Sequence, residues 1–266
     1  MKNDFVKMRP VPSRVLDKLR AGKNAYCMKF NFDSARPIAI AGLTGFDCAW
    51  CCQEHVSTDL SLMERYSLAA KAYGIDLLMR VPRGSYSDLV RPLEADASGI
   101  MVPHVMNAAD ARRIVWQTRF HPVGRRALDG GNADGQYCFL PIREYFDFVN
   151  NNRFLLIQIE DVEAMEELEE ICAVPGIDII FFGPCDFSQS IGFPGEINHP
   201  LVVAARKRVA ECARRHGKFA GTVGSVDNVV ELHKLGYSFV NLGADVNGFN
   251  NYCVDIQQKL RDAGLK

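Results

Sequence analysis

Eight short apolar runs, each followed by a stretch of helical period, constrain this chain more than any other feature. Runs of this length bounded by turn signals suit strands buried on both faces, and their alternation with amphipathic segments suits a parallel sheet covered by helices. They are 25–32 (AYCMKFNF), 46–52 (FDCAWCC), 76–82 (DLLMRVP), 99–103 (GIMVP), 154–160 (FLLIQIE), 178–183 (DIIFFG), 219–223 (FAGTV) and 239–243 (FVNLG). Between them SLMERYSLAAKAYG, NAADARRIVWQTR, DVEAMEELEEICA and SVDNVVELHKLG read as helices, several opening on Ser, Asp or Asn and closing on Gly. A further helix over Ser13–Ala21 precedes the first run. Eight such units close a barrel, so the expected fold is α/β, a (β/α)8 or TIM barrel. The 266 residues match the usual size of one such barrel, and the expected organisation is a single domain over 1–266 with a short N-terminal helix.

Composition excludes several function classes. Hydrophobic residues at 48% and charged residues at 24% describe a globular chain, and a net charge of −1 leaves no basic surplus to neutralise nucleic acid. The most basic stretch, LVVAARKRVAECARRHG, places Val202, Ala205, Val209 and Cys212 at helical spacing, so its charges read as a solvated helix face. Residues 1–12 lack the apolar core of a secretory leader, and no run approaches a membrane span; no membrane partner and a cytoplasmic location are expected. The nine cysteines are odd in number and scattered, and Cys27, Cys48, Cys172 and Cys212 sit in apolar runs as small hydrophobes. Cys48 and Cys51 have CxxC spacing. With no second CxxC and no HxxxH following, and with strand-like alternation, a zinc or redox pair is not expected. One region, 120–140, is a glycine-rich connection without hydrophobic period; loops of this kind are usually functional lids or mobile segments.

Polar residues interrupt the apolar runs repeatedly at strand C-termini: Glu54 and His55, Arg80, Gln158 and Glu160, Asp186, then Asn241 and Asp245. In a (β/α)8 barrel those ends form the face that carries the active site. Glu160 and Asp186 each follow an apolar run, and two carboxylates on adjacent strands suit a hard cation such as Mg²⁺ or Mn²⁺. Position alone allows equally that Glu160 caps the next helix and Asp186 starts a turn. Arg80 can hold a carboxylate or a developing enolate oxygen, or form an internal salt bridge. His55 is an acid/base candidate by its near-neutral pKa, although a lone loop histidine is usually inert.

The pair Glu54-His55, RVP at 80–82, GIMVPHV at 99–105, QIE at 158–160, FGPCD at 182–186 and the following GFPGEINHP resemble, in order and spacing, the HpcH/HpaI family of metal-dependent pyruvate aldolases of the phosphoenolpyruvate/pyruvate barrel superfamily. The likeness runs from about residue 25 to 262. It implies that Glu160 and Asp186 ligate a divalent metal (Mg²⁺, Mn²⁺ or Co²⁺) with Gln158 lining the site. It further implies that the backbone at Gly183, Pro184 and Cys185 meets the pyruvate carboxylate, that Arg80 binds the keto oxygen, and that His55 moves the proton. The reaction implied is cleavage or formation of a 4-hydroxy-2-oxo acid, giving pyruvate and an aldehyde through a metal-stabilised enolate. Other 2-oxo-acid enolate reactions (oxaloacetate decarboxylation, a Claisen-type lyase or synthase) and a non-catalytic barrel retaining the metal site are the alternatives. A homo-oligomer, trimer or hexamer, in which neighbouring subunits complete the site is also implied. No lysine stands at a strand end near this cluster, so no Schiff base is expected.

Two departures stand out. The family commonly reads D-x-E-H at the second strand, whereas this chain has Cys52-Gln53-Glu54-His55, without the carboxylate that orients the histidine. The family's G-x-R-G turn is here Gly124-Arg125-Arg126-Ala127, which leaves the aldehyde partner open.

Overall fold

All eight apolar runs form strands in the computed structural model, which describes residues 10–266. They are β1 (Ala25–Lys29), β2 (Cys48–Cys52), β3 (Asp76–Arg80), β4 (Gly99–Val102), β5 (Phe154–Ile159), β6 (Ile179–Phe182), β7 (Phe219–Val223) and β8 (Tyr237–Ala244). Each pairs in parallel with the next, and β8 closes onto β1, giving the expected (β/α)8 barrel. The amino-terminal stretch read for a leader falls largely outside the described residues. Among the described residues no helix is long and apolar enough to cross a membrane.

Alternate side chains of a strand point to opposite faces. Cys27, Cys48, Trp50, Leu78, Met101, Leu156, Ile179, Phe181 and Phe239 therefore fill the barrel interior, while Ile100, Leu155, Ile157 and Ile180 pack outward under the helices. Phe154 belongs to the interior set and lies so close to Gly99 that a Cβ there would stand 2.5 Å from its ring. Counting two residues further along the strands, the inward positions become polar: Lys29, Cys52, Arg80, Gln158 and Asn241. An apolar plug thus carries a polar layer at its C-terminal end. The same parity settles CxxC: Cys48 faces the interior and Cys51 the helix layer, on opposite sides of one strand.

The predicted N-terminal helix spans Arg14–Arg20, with Ser13 as its cap accepting from the Leu16 amide. Ser13 also donates to Asp76 at 2.5 Å, and Lys18 pairs with Asp47 at 2.7 Å, so this helix closes the barrel base. Helix Pro200–Arg215 buries Val202, Ala205, Val209 and Cys212, as their spacing requires.

The 120–140 connection is anchored, against the expectation of a mobile lid. Arg126 and Asp134 form a buried ion pair at 2.7 Å, the Tyr145 hydroxyl donates to Asp134 at 2.6 Å, and the Ala127 amide donates to the Tyr86 hydroxyl at 2.7 Å. Two charges removed from water hold this geometry because separating them would leave each uncompensated. These bonds tie the segment to the flank of the barrel.

Candidate active site at the barrel mouth

The polar layer is organised around Arg80. β2 and β3 pair with Cys52 opposite Arg80, which brings the two side chains together at the top of the interior. The Arg80 guanidinium lies 2.9 Å from Glu54 Oε2 and donates through Nε and Nη2 to Cys52 Sγ, each at 3.3 Å. It is 5.0 Å from the centre of the Trp50 ring, an attractive arrangement for a cation over an indole face. The internal salt bridge read as an alternative for Arg80 therefore exists, to Glu54, at the mouth itself.

Glu160 is 1% exposed, which separates it from an ordinary helix-capping carboxylate. Its Oε1 accepts from the His104 amide at 2.9 Å and its Oε2 from the Gln158 side-chain amide at 2.7 Å. Gly183 makes room for it, since a Cβ there would stand 2.5 Å from Oε2. Asp186 is exposed, in the first turn of helix Pro184–Ser190. Burial raises the Glu160 pKa to about 7, and the Asp186 charge adds to the rise while the hydrogen bond and charge of His104 oppose it. Among the described residues, Gln158 Oε1 and Asn241 Oδ1 are buried with no hydrogen-bond donor.

A divalent cation fits these residues. Two carboxylates, one held near neutrality by burial and by the other's charge, gain from a cation between them, and an orphaned amide oxygen offers a further hard donor. Two carboxylates alone leave most coordination positions to water and substrate oxygens.

The remaining expected residues divide. Gly183 and Pro184 are buried beside Glu160, and Cys185 is exposed. His55 lies on the bend after β2 with its side chain 59% exposed, its Nε2 3.5 Å from Glu54 Oε2, and its amide donating to Cys52 Sγ at 3.4 Å. Asp245 is occupied elsewhere, accepting from the Asn31 and Phe32 amides at 2.8 and 3.0 Å.

Two groups at the mouth were missed in the sequence. His104 follows β4 with φ of 49°, a left-handed backbone that costs about 1 kcal/mol or more and is held by its bond to Glu160. Its Nδ1 lies 2.9 Å from Asp161 Oδ2 and its Nε2 3.7 Å from Glu54 Oε1. Burial works against the charged ring, but the hydrogen bond to Asp161 and the charges of Glu160, Asp161 and Glu54 outweigh it and raise the pKa. GIMVPHV contained this histidine; nothing in the sequence placed Asp161 against it. Lys29 is the second, and it overturns the reading that no lysine stands at a strand end here. It ends β1 with Nζ 5.4 Å from the Trp50 ring, and burial followed by the Arg80 charge lowers its pKa. The run AYCMKFNF extends three residues past it, which hid the strand end.

The sequence model of the HpcH/HpaI aldolase/citrate lyase family matches residues 60–251. A 5-keto-4-deoxy-D-glucarate aldolase of Klebsiella pneumoniae is 30% identical over 235 residues, covering 87% of this chain and 90% of its own. A hydroxypyruvate/pyruvate aldolase of Cupriavidus necator is 32% identical, covering 84% and 83%. Among solved structures, an HpcH/HpaI aldolase from Desulfitobacterium hafniense superposes with a TM-score of 0.87 at 26% identity over 92% of this chain and 95% of that one.

Proposed function

Because this chain belongs to the HpcH/HpaI aldolase/citrate lyase family and is a carbon–carbon lyase, we propose that it cleaves or forms a 4-hydroxy-2-oxo acid, with pyruvate and an aldehyde as the other side of the reaction. The observation that carries this reading is the buried guanidinium of Arg80 in one polar layer with Gln158, beside the buried Glu160 whose pKa the Asp186 charge helps to raise. Glu160 and Asp186, with Gln158 beside them, would hold a divalent cation: Mg²⁺, Mn²⁺ or Co²⁺. Bound there, such an ion supplies Lewis acidity to the 2-oxo group. The backbone at Gly183, Pro184 and Cys185 receives the 2-oxo acid carboxylate.

In cleavage, His55 takes the proton of the C4 hydroxyl, the C3–C4 bond breaks, and its electron pair passes to the enolate. Arg80 donates to the enolate oxygen, its side chain already fixed by Glu54, Cys52 and Trp50, so little reorganisation accompanies the charge that develops. Protonation at C3 gives pyruvate, and the aldehyde leaves. A second assignment of the base is favoured by one observation: Asp161 fixes the His104 ring with Nδ1–H donating, which in the neutral form leaves Nε2 able to accept a proton.

Deuterium exchange into the pyruvate methyl group, followed by NMR with and without each metal, tests the enolate chemistry. Metal-dependent exchange is expected, slowed about 100- to 1,000-fold in Arg80→Ala. No exchange with any of the three metals would remove the reading; exchange at the native rate in metal-loaded Arg80→Ala would remove Arg80 from it. His55→Ala and His104→Ala identify the base, and aldehyde acceptors set against oxaloacetate separate aldol cleavage from decarboxylation or Claisen chemistry. The exposed C-terminal helix supports a homo-oligomer, and the family resemblance makes a trimer or hexamer the expected form.

A further inference from the structure

On the flank of the barrel, four side chains with metal-binding chemistry meet where the proposed reaction uses none of them. Glu169 and Cys172 lie three residues apart on helix Leu168–Ala173, and Cys212 and His216 lie four apart at the end of helix Pro200–Arg215. Residues at these spacings share a helix face, so each helix brings two of the four to the contact. Ligand atoms of Glu169, Cys212 and His216 all lie within 4.8 Å of one another. His216 Nε2 is 2.9 Å from Glu169 Oε2, the Cys212 thiol donates to the Leu168 carbonyl at 3.5 Å, and the Cys172 thiol is close enough to Cys212 to influence it. Both helices run back toward the strand N-termini, so the cluster stands at the opposite end of the barrel from Glu160.

Arg215 also meets Glu169, and a surface ion pair would account for those two residues. It does not involve the buried Cys212 thiol, which stands within 4.8 Å of both that carboxylate and the His216 imidazole. We propose that Glu169, Cys212 and His216, with the neighbouring Cys172 turning in as the fourth ligand, form a site for a borderline-soft transition-metal ion, Zn²⁺ above all, that ties helix Leu168–Ala173 to helix Pro200–Arg215. Two sulfurs, one imidazole nitrogen and one carboxylate oxygen are the donors a closed tetrahedral zinc site takes, at about 2.0–2.3 Å from the ion. His216 and Arg215 hold Glu169 ionised, with its pKa down at about 2, so a carboxylate is always present. Burial pushes both thiols up, so the metal-free cluster is protonated there and binding releases the two thiol protons to solvent.

Cobalt reads the ligand set directly. Full-length chain, reduced and stripped of metal, is titrated with Co²⁺ and followed for the near-ultraviolet sulfur-to-cobalt charge-transfer band and the visible bands of tetrahedral cobalt. Co²⁺ is expected to produce both, the sulfur band reporting the flank site and not the oxygen ligands of the mouth; Zn²⁺ abolishes that band, and Cys212→Ser loses it. Cys185→Ser, beside the barrel mouth, should keep it. His216→Ala and Glu169→Gln, at exposed or half-exposed positions that leave the core intact, should weaken Co²⁺ binding at the sulfur band and reduce the rise in Tm that Zn²⁺ gives the native chain to the part contributed by the barrel mouth. Absence of a sulfur band in the native chain overturns the proposal. So does a band that survives both Cys172→Ser and Cys212→Ser, which would place the sulfur ligand at another cysteine.

Discussion

Cys52 shows how much of the site turns on single atoms. It stands where the family has the carboxylate that orients the histidine, and its sulfur instead receives two N–H groups from Arg80 and the His55 backbone amide, so it fixes the guanidinium and leaves the His55 ring unheld by it. Its place at the end of β2 was legible; that its partner is Arg80 followed only from the register of β2 on β3. The same holds for Glu160, whose position after an apolar run was plain but whose burial was not. Its pKa of about 7 stands above the carboxylate's ordinary 4.5. A raised folded-state value means that the stabilising contribution is whole below about pH 4.5 and is lost as pH rises through about 7. Metal-free protein should therefore lose stability across that window, by at most on the order of 3 kcal/mol, and added divalent metal should restore it above pH 7. Denaturant midpoints at pH 5 and pH 8, with and without Mn²⁺, measure this. A metal-free chain more stable at pH 8 than at pH 5 would contradict the burial argument for Glu160.

At the level of elements, the strands were legible because each is a short apolar run, and their ends were not, because pairing rather than hydrophobicity terminates them. β1 stops at Lys29 although Phe30 and Phe32 continue the run, and that early stop exposes a lysine at the mouth. The 120–140 connection lacked any period to read, and its anchor is one buried pair, Arg126 with Asp134, that no local pattern announces. β4 and β5 pack through Gly99 against Phe154. A methyl group at Gly99 would force the Phe154 ring off its position in a filled interior. Gly99→Ala should thus cost roughly 1–3 kcal/mol in chemical denaturation, and a neutral result would show that the ring has room to move.

In the molecule as a whole, among the described residues, the C-terminal helix is an element left uncovered. The C-terminal helix Asp245–Asp262 buries no residue, and Phe249 and Tyr252 are 59% and 62% exposed on it. Apolar area of this kind on a helix marks an association surface. Sedimentation velocity should find the native chain as a trimer or hexamer and Phe249→Glu with Tyr252→Glu as a smaller species; a native monomer at micromolar concentration would dismiss the oligomer. The sequence by itself determined the (β/α)8 barrel, because eight apolar runs alternating with amphipathic helices have few other ways to bury their surface. It also determined which strand ends carry Arg80, Gln158 and Glu160, because strand parity and chain order are local properties. Only the tertiary structure decided that Lys29 shares the Trp50 ring with Arg80, that Asp161 orients His104, and that Cys172 meets Cys212. Those contacts join residues from different β/α units, and barrel closure, which no local pattern encodes, sets the distances between them.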